Sequence, residues 1–304
     1  MTAAVAEAVP KKKQRRPRNR WRATGWKFAA PGLSLILLVL GTPLVYGVLL
    51  SLSSFTLLNP TLEPYVGTEN FQSLLVDPYF WHSLRISVQY GMATVIGAFL
   101  LGLVVAVLLT RVTRLKGVYF AILAVPVALS PVGSGLIWHM LLQSDRGVVN
   151  QLLGLAGLPQ PDWLGDPDLA LWTLVFVELW QQVAFVVLIL SAGLAALPKL
   201  PYEAAETDGA GRRQQFWYLT LPMLRPVAAI AILIQMVHAT RSYDLVYVLT
   251  RGGPDMGTDL LSIYAYRQAF LGLSISDGAT ASFVLLMLVL VLAVILFRLV
   301  TRRA

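Results

Sequence analysis

Cysteine is missing from the 304 residues, so no disulfide, thiolate metal site or cysteine nucleophile can be built. Histidine is scarce: His82, His139 and His238 are the three present, and their separations fit no metal-ligand spacing. Charge is scarce as well, at 13% of residues against about 25% in an ordinary soluble protein. A core held in water needs a charged shell, and this composition does not supply one. The Gly-x-x-x-x-Gly-Lys-Ser/Thr loop that cradles nucleotide phosphates does not occur, which excludes an ATPase in this chain. Nor does a Gly-x-Ser-x-Gly nucleophile elbow. An enzyme reading has no residue set behind it, and no cofactor or metal is expected.

What is abundant is apolar sequence, 57% of the chain, with a mean hydropathy of +0.67. About 20 apolar residues cross a hydrocarbon core roughly 30 Å thick. Six stretches meet that length: residues 28–50, 86–110, 117–142, 169–194, 227–249 and 278–297. Backbone groups in lipid must be satisfied within their own segment, so these are read as helices. The ten-residue alternation of a membrane β-barrel is not seen. The fold class expected is all-α, a polytopic membrane protein with six transmembrane helices. Residues 28–50 are too long for a signal-peptide core and lack a small-residue cleavage site, so they read as a retained span. Pro126 and Pro131 predict a kink in the third span. Gly97, Gly102, Gly133, Ser134 and Gly135 predict close helix packing.

Orientation follows from the basic residues. Nine of the 24 lie between Lys11 and Lys27, directly ahead of the first span, where a membrane-side anchor is the expected role. With that tail in the cytoplasm, residues 111–116, 197–225 and the C-terminal end, with Arg302 and Arg303, fall on the same side. Most acids, among them Glu63, Glu69, Asp77, Asp162, Asp166 and Asp259, fall on the other. Both termini are therefore expected in the cytoplasm of a multi-pass protein of the cytoplasmic (inner) membrane. The domain reading is a basic, disordered tail at 1–27, a transmembrane domain at 28–300 and a short cytoplasmic end at 301–304.

The loop at 197–226, LPKLPYEAAETDGAGRRQQFWYLTLPMLRP, does not read as a plain connector. Pro201 suits a first helical turn, and Glu203 lies near the positive end of the helix that would follow. Ala204 and Ala205 are small enough for another chain to approach closely. Asp208 and Gly209 supply a turn, because glycine accepts the left-handed conformation that ends helices. A second short helix over 212–219, stopped by Pro222, completes a helix–turn–helix.

Glu203-Ala204-Ala205, three residues, Gly209, nine residues and Leu219-x-Leu221-Pro222 resemble the EAA loop of binding-protein-dependent ABC importer permeases at every defined position. The resemblance implies a type I ABC importer permease fold. It also implies that this loop docks in a cleft of a cytoplasmic ATPase subunit through Glu203, Ala204, Ala205, Asp208 and Gly209. Gly67-x-x-Asn70-Phe71, with Asp77-Pro78-x-Phe80-Trp81, and the run from Tyr243 to Pro254 are similar to the carbohydrate, maltose-permease-like branch. Arg251 departs from that pattern, which has glycine there, and sets a cation at the external mouth. Implied partners are a second homologous permease chain, two ATPase subunits and an extracytoplasmic solute-binding protein; no nucleic acid is expected.

Ionisable groups inside a span are costly and mark candidate functional sites. Glu178 lies roughly 14 Å into the fourth span, with Trp180 and Gln181 beside it. In the fifth span Gln235, His238, Arg241 and Asp244 follow a polar stripe at spacings of three, with Tyr243 alongside. Arg241 and Asp244 are spaced to pair. These eight residues are read as a substrate path for a polar solute, with polar contacts between helices as the competing reading. The function expected is translocation of a sugar on ATP hydrolysed by partner subunits. A glycerol-3-phosphate or polyol importer is the alternative, and an ion-coupled secondary transporter using Glu178 or Asp244 is the alternative class.

Overall fold

The computed structural model describes residues 20–62, 64–112 and 114–301. The basic run before Arg20, Glu63, Arg302 and Arg303 lie outside the described residues. The chain divides between Gly47 and Val48 into two units. Up to its last turn the first helix, α1 (Arg20–Ser51), falls in the first unit, and it is exposed along an apolar surface that includes Leu35, Leu37, Leu38 and Leu40.

In the second unit α2 (Glu69–Val76) leads into α3 (Pro78–Arg111). Asp77 starts α3 by accepting the Tyr79 N–H at 2.8 Å, with Pro78 in the first turn where its missing N–H costs nothing. Its 34 residues run about 51 Å, well beyond the hydrocarbon core. The fourth apolar stretch forms α7 (Pro167–Ala195), capped in the same way by Asp166 on the Asp168 N–H at 2.8 Å. Of its apolar window 56% is buried, the largest share of any span, so α7 is the central element. It packs on α3 through glycine: a Cβ on Gly102 would come within 2.6 Å of Val186, and one on Gly97 within 3.0 Å of Leu179. Gly133 does not serve this packing; its N–H is taken by Ser130.

The third apolar stretch is broken rather than kinked. It forms α4 (Lys116–Ala128) and α5 (Pro131–Leu141), which diverge by 94°. Leu129 and Ser130 are extended, Ser130 as the residue directly ahead of Pro131 prefers, and Ser130 then caps α5 through the Gly133 N–H at 3.1 Å. The described residues thus hold five unbroken apolar helices, and six passages with the bent pair counted as one. The carbonyl of Leu129, freed at the break, accepts a hydrogen bond from Gln181 Nε2 at 3.0 Å. A short helix α6 (Val148–Leu155) follows α5, and a Ser144–Asp162 hydrogen bond of 2.6 Å secures that segment.

After α7 come α8 (Leu200–Thr207) and α9 (Arg212–Gln215). Where the sequence predicts that Pro222 stops the second helix, the helix continues through it. A π-helical segment (Phe216–Thr220) joins α9 to α10 (Leu221–Thr240). Proline at 222 has no N–H for the preceding turn, and the chain answers by widening that turn, with the Leu221 N–H reaching back to Phe216. The fifth passage also ends earlier than 249. α10 stops at Thr240, Arg241 and Ser242 turn, and α11 (Tyr243–Leu249) is a separate helix. α12 (Leu261–Tyr266), a second π segment (Arg267–Leu271) and α13 (Ile275–Thr301) complete the chain.

At the end of the bundle where α3 begins, polar groups tie the connections together. Asn70 donates to the Ser51 and Ser53 carbonyls at 2.9 and 2.7 Å, and Ser276 accepts the Phe55 N–H at 2.8 Å. Asp259, fully buried, accepts the Ser83 hydroxyl at 2.6 Å and both guanidinium nitrogens of Arg267 at 2.9 and 3.1 Å. Burial pushes the Asp259 carboxyl above its usual range, against the opposing pulls of Ser83 and Arg267. Thr258 locks the turn before it by bridging Thr250 Oγ1, at 2.7 Å, and the Gly253 carbonyl.

Candidate functional site

Residues 197–214 lie at the surface of the bundle, with none of them buried, whereas Leu224 near the end of the 197–226 loop is already in the core. α8 buries none of its residues; Glu203, Ala204, Asp208 and Gly209 are exposed and Ala205 is half-buried. The turn after it is built as the sequence requires. Gly209 has φ +78°, the Ala210 N–H returns to the Ala205 carbonyl at 2.8 Å, and Gln214 Oε1 caps the Gly211 N–H at 2.9 Å. Such a helix presents a small-residue face and a carboxylate to whatever lies beneath it. Beside it, Thr110 and Arg111 at the end of α3 share an open cleft with Lys199, Tyr202 and Glu206.

The eight polar or aromatic residues read from the fourth and fifth spans do not converge on one cavity. Glu178, Gln181 and Gln235 are buried inside the chain, at 3%, 3% and 1% exposure. Glu178 faces Tyr90 of α3 and Ser242 of the turn after α10 without a hydrogen bond to the Tyr90 hydroxyl, and the hydropathy pattern did not single out either residue. Gln181 holds the break between α4 and α5, while its Oε1 has no partner. Gln235 has no partner at either end of its amide. Trp180 sits edge-on to Trp138 at 5.5 Å, half-buried. His238, Arg241 and Asp244 are exposed. His238 lies 6.1 Å from the Phe185 ring.

The stripe at spacings of three is interrupted, because Gln235 and His238 lie on α10 while Tyr243 and Asp244 lie on α11. Among the described residues Arg241 and Asp244 form no ion pair; the pair that does form is Arg267–Asp259. Tyr243 instead opens an aromatic row: it stacks on Tyr247 at 5.3 Å, and Tyr266 lies 5.2 and 5.3 Å from the two, with Phe270 5.2 Å beyond. Tyr266 and Phe270 come from a segment that carries no hydropathy signal; only its density of rings marks it in the sequence. A cavity of about 270 Å³ between α3, α10 and α13 is lined by Val88, Met92, Met236, Leu285 and Leu288 and includes none of the eight. Its walls are apolar and do not suit a polar solute. Among the described residues no three His, Asp or Glu side chains are grouped to hold a metal.

Comparison with known proteins agrees with this architecture. The chain is 32% identical over 248 residues to the trehalose/maltose transport system permease protein MalF of Thermococcus litoralis, spanning 82% of this chain and 84% of that one. It is 30% identical over 240 residues to the sn-glycerol-3-phosphate transport system permease protein UgpA of Agrobacterium fabrum, spanning 79% and 82%. Among solved structures it shares the fold of a chain from a bacterial ABC transporter involved in import of the acidic polysaccharide alginate, with a TM-score of 0.79. That match has 22% identity and covers 93% of this chain and 98% of the other. Residues 98–304, two-thirds of the sequence and including the whole 197–226 loop, match the binding-protein-dependent transport system inner membrane component family, and the chain belongs to it as a multi-pass membrane permease.

Proposed function

We propose that this chain is one permease half of an ABC importer that carries a sugar, an oligosaccharide or related carbohydrate, across the cytoplasmic membrane. The observation that carries the reading is α8. None of its residues is buried, and it bears Glu203, Ala204 and Ala205, with Asp208 and Gly209 in the turn after it, in the spacing of an ATPase-docking loop. On this reading a second, homologous permease chain completes the channel. Two ATPase subunits bind on the cytoplasmic side, and an extracytoplasmic binding protein delivers the solute. Both termini face the cytoplasm, with 1–27 as a basic tail, 28–300 as the membrane domain and 301–304 as the end.

Closure of the ATPases around bound nucleotide would move α8 and open the path outward as the binding protein releases its solute. Trp180, His238, Arg241, Tyr243 and Asp244 are the half-buried or exposed members of the proposed path. Glu178, Gln181 and Gln235 would act from behind them unless the helices turn during transport. The row of Tyr243, Tyr247 and Tyr266 supports a ring-faced, polar solute, because aromatic faces pack on sugar rings while phenol hydroxyls bond to them.

Purification of the assembled transporter tests the docking reading. An ATPase that stays bound to the wild type and is lost from Glu203→Ala or Gly209→Val supports it. Full retention in both variants overturns it. A phosphorylated solute is the second reading, favoured by the exposed cations Arg241 and Arg251 and by the glycerol-3-phosphate relative. Uptake of labelled sugar against labelled glycerol-3-phosphate by the same reconstituted complex decides between them.

A further inference from the structure

α8 is joined covalently at both ends, to α7 through 196–199 and to α9 through the turn at 208–211, where left-handed Gly209 makes a joint. A side chain adds a second tie on the α9 side. Tyr202, half-buried on α8, places its hydroxyl 2.8 Å from Thr220 Oγ1. Thr220 is the last residue of the π segment, two residues before Pro222, where the helix changes pitch. Its hydroxyl also lies 3.4 Å from the Gln215 carbonyl, inside the same widened turn. The Leu221 N–H bonds to Phe216 instead of in the regular i→i−4 pattern, because Pro222 supplies no N–H, and the helix changes pitch here; Pro226, inside α10, is the other position of the run without an N–H. Beyond it α10 continues without a break to Gln235 and His238.

From this geometry we infer that the Tyr202–Thr220 hydroxyl bridge is a strut that carries displacement of α8 into α10. Tyr202 and Thr220 are then positioning residues for transport rather than docking residues. The turn at Gly209 alone is a joint that can rotate under load. A second attachment, 18 residues away in sequence, removes that freedom and makes α8 and the π segment move together. Entry of the displacement at the pitch change lets α10 shift without first breaking a regular helical ladder. The inference rests on the reading that α8 docks the ATPase.

The test uses the whole reconstituted transporter and reads solute imported per ATP hydrolysed. Tyr202→Phe keeps the ring and its packing and removes only the hydroxyl; Thr220→Val removes the other half. Each single variant is expected to retain the ATPase and to hydrolyse ATP, while import per ATP falls about fivefold or more, the size of a typical coupling loss. The apparent KM for solute should stay constant. The double variant should be no worse than either single one, and Thr220→Ser should restore the wild-type ratio.

A wild-type ratio in Tyr202→Phe would overturn the strut, as would additive losses in the double variant. Loss of the ATPase from Tyr202→Phe would overturn it too, because Tyr202 would then belong to the docking face. Retention of the ATPase by Glu203→Ala and Gly209→Val is a separate result: it fails the docking reading, whatever the Tyr202 ratio shows.

Discussion

Gly209 holds φ +78° with open space where a Cβ would be, so its constraint is backbone conformation and not crowding. An L-residue there costs roughly 1–2 kcal/mol, which either unwinds the turn after α8 or re-aims it. Gly209→Ala should therefore lower ATPase retention on the purified complex while leaving the thermal midpoint of the membrane bundle nearly unchanged. Arg267 is a contrasting case. Its guanidinium holds a carboxylate that is fully buried, and Arg267→Met would leave Asp259 with Ser83 alone. Stranding such a charge costs about 3 kcal/mol, discounted here because the arginine is partly exposed. A fall in the unfolding midpoint of the detergent-purified protein, relieved in part by Asp259→Asn in the same chain, is the expected result.

The pair α3 and α7 is joined where glycine lets the two backbones approach, and Gly102 is the tightest point. Gly102→Val would press on Val186 and should cost about 1–3 kcal/mol, seen as faster proteolysis or a lower melting point, with little change if Val186→Ala accompanies it. The segment between α5 and α7 is held differently. Asp162 accepts the Ser144 hydroxyl and the Gly165 N–H, and the Ser144 bond above all keeps its carboxyl below the usual range. A carboxyl with a lowered folded-state pKa stabilises above its unfolded value, near 3.9, and that contribution is lost as pH falls through the folded value. Hydrogen-exchange protection in this segment, referred to the intrinsic rate at each pH, should fall below about pH 4, and Asp162→Asn should abolish that acid step.

For the whole molecule, the decisive property is the source of energy. This chain carries no phosphate-binding loop and should drive no uptake alone. Proteoliposomes with the full assembly should import solute on ATP with no ion gradient, and an imposed proton or sodium gradient without ATP should drive none. Gradient-driven uptake would favour the secondary-transporter reading through Glu178 or Asp244.

Much of this architecture is legible in the sequence, because a bilayer imposes a length and a polarity on every crossing. The apolar runs at 28–50, 86–110, 169–194 and 278–297 all lie within observed helices, and the 197–226 pattern alone pointed to the family. The turn at Gly209 was equally plain, since few residues accept its conformation. Hydropathy is blind to direction, however. It counts residues 117–142 as one crossing, although extended Leu129 and Ser130 turn the chain by 94° and Gln181 satisfies the opened backbone. It also joins α10 to α11, which puts Gln235 and Asp244 on one imagined stripe.

Composition and spacing therefore determined that the chain lies in a membrane, how many apolar stretches it has and which loop reaches out. The fold alone decided which polar groups face one another: Glu178 with Tyr90 and Ser242, Asp259 with Arg267, Tyr202 with Thr220. The physical reason is range. Crossing a bilayer is a demand on each segment separately, whereas these partners are brought together only when distant helices pack.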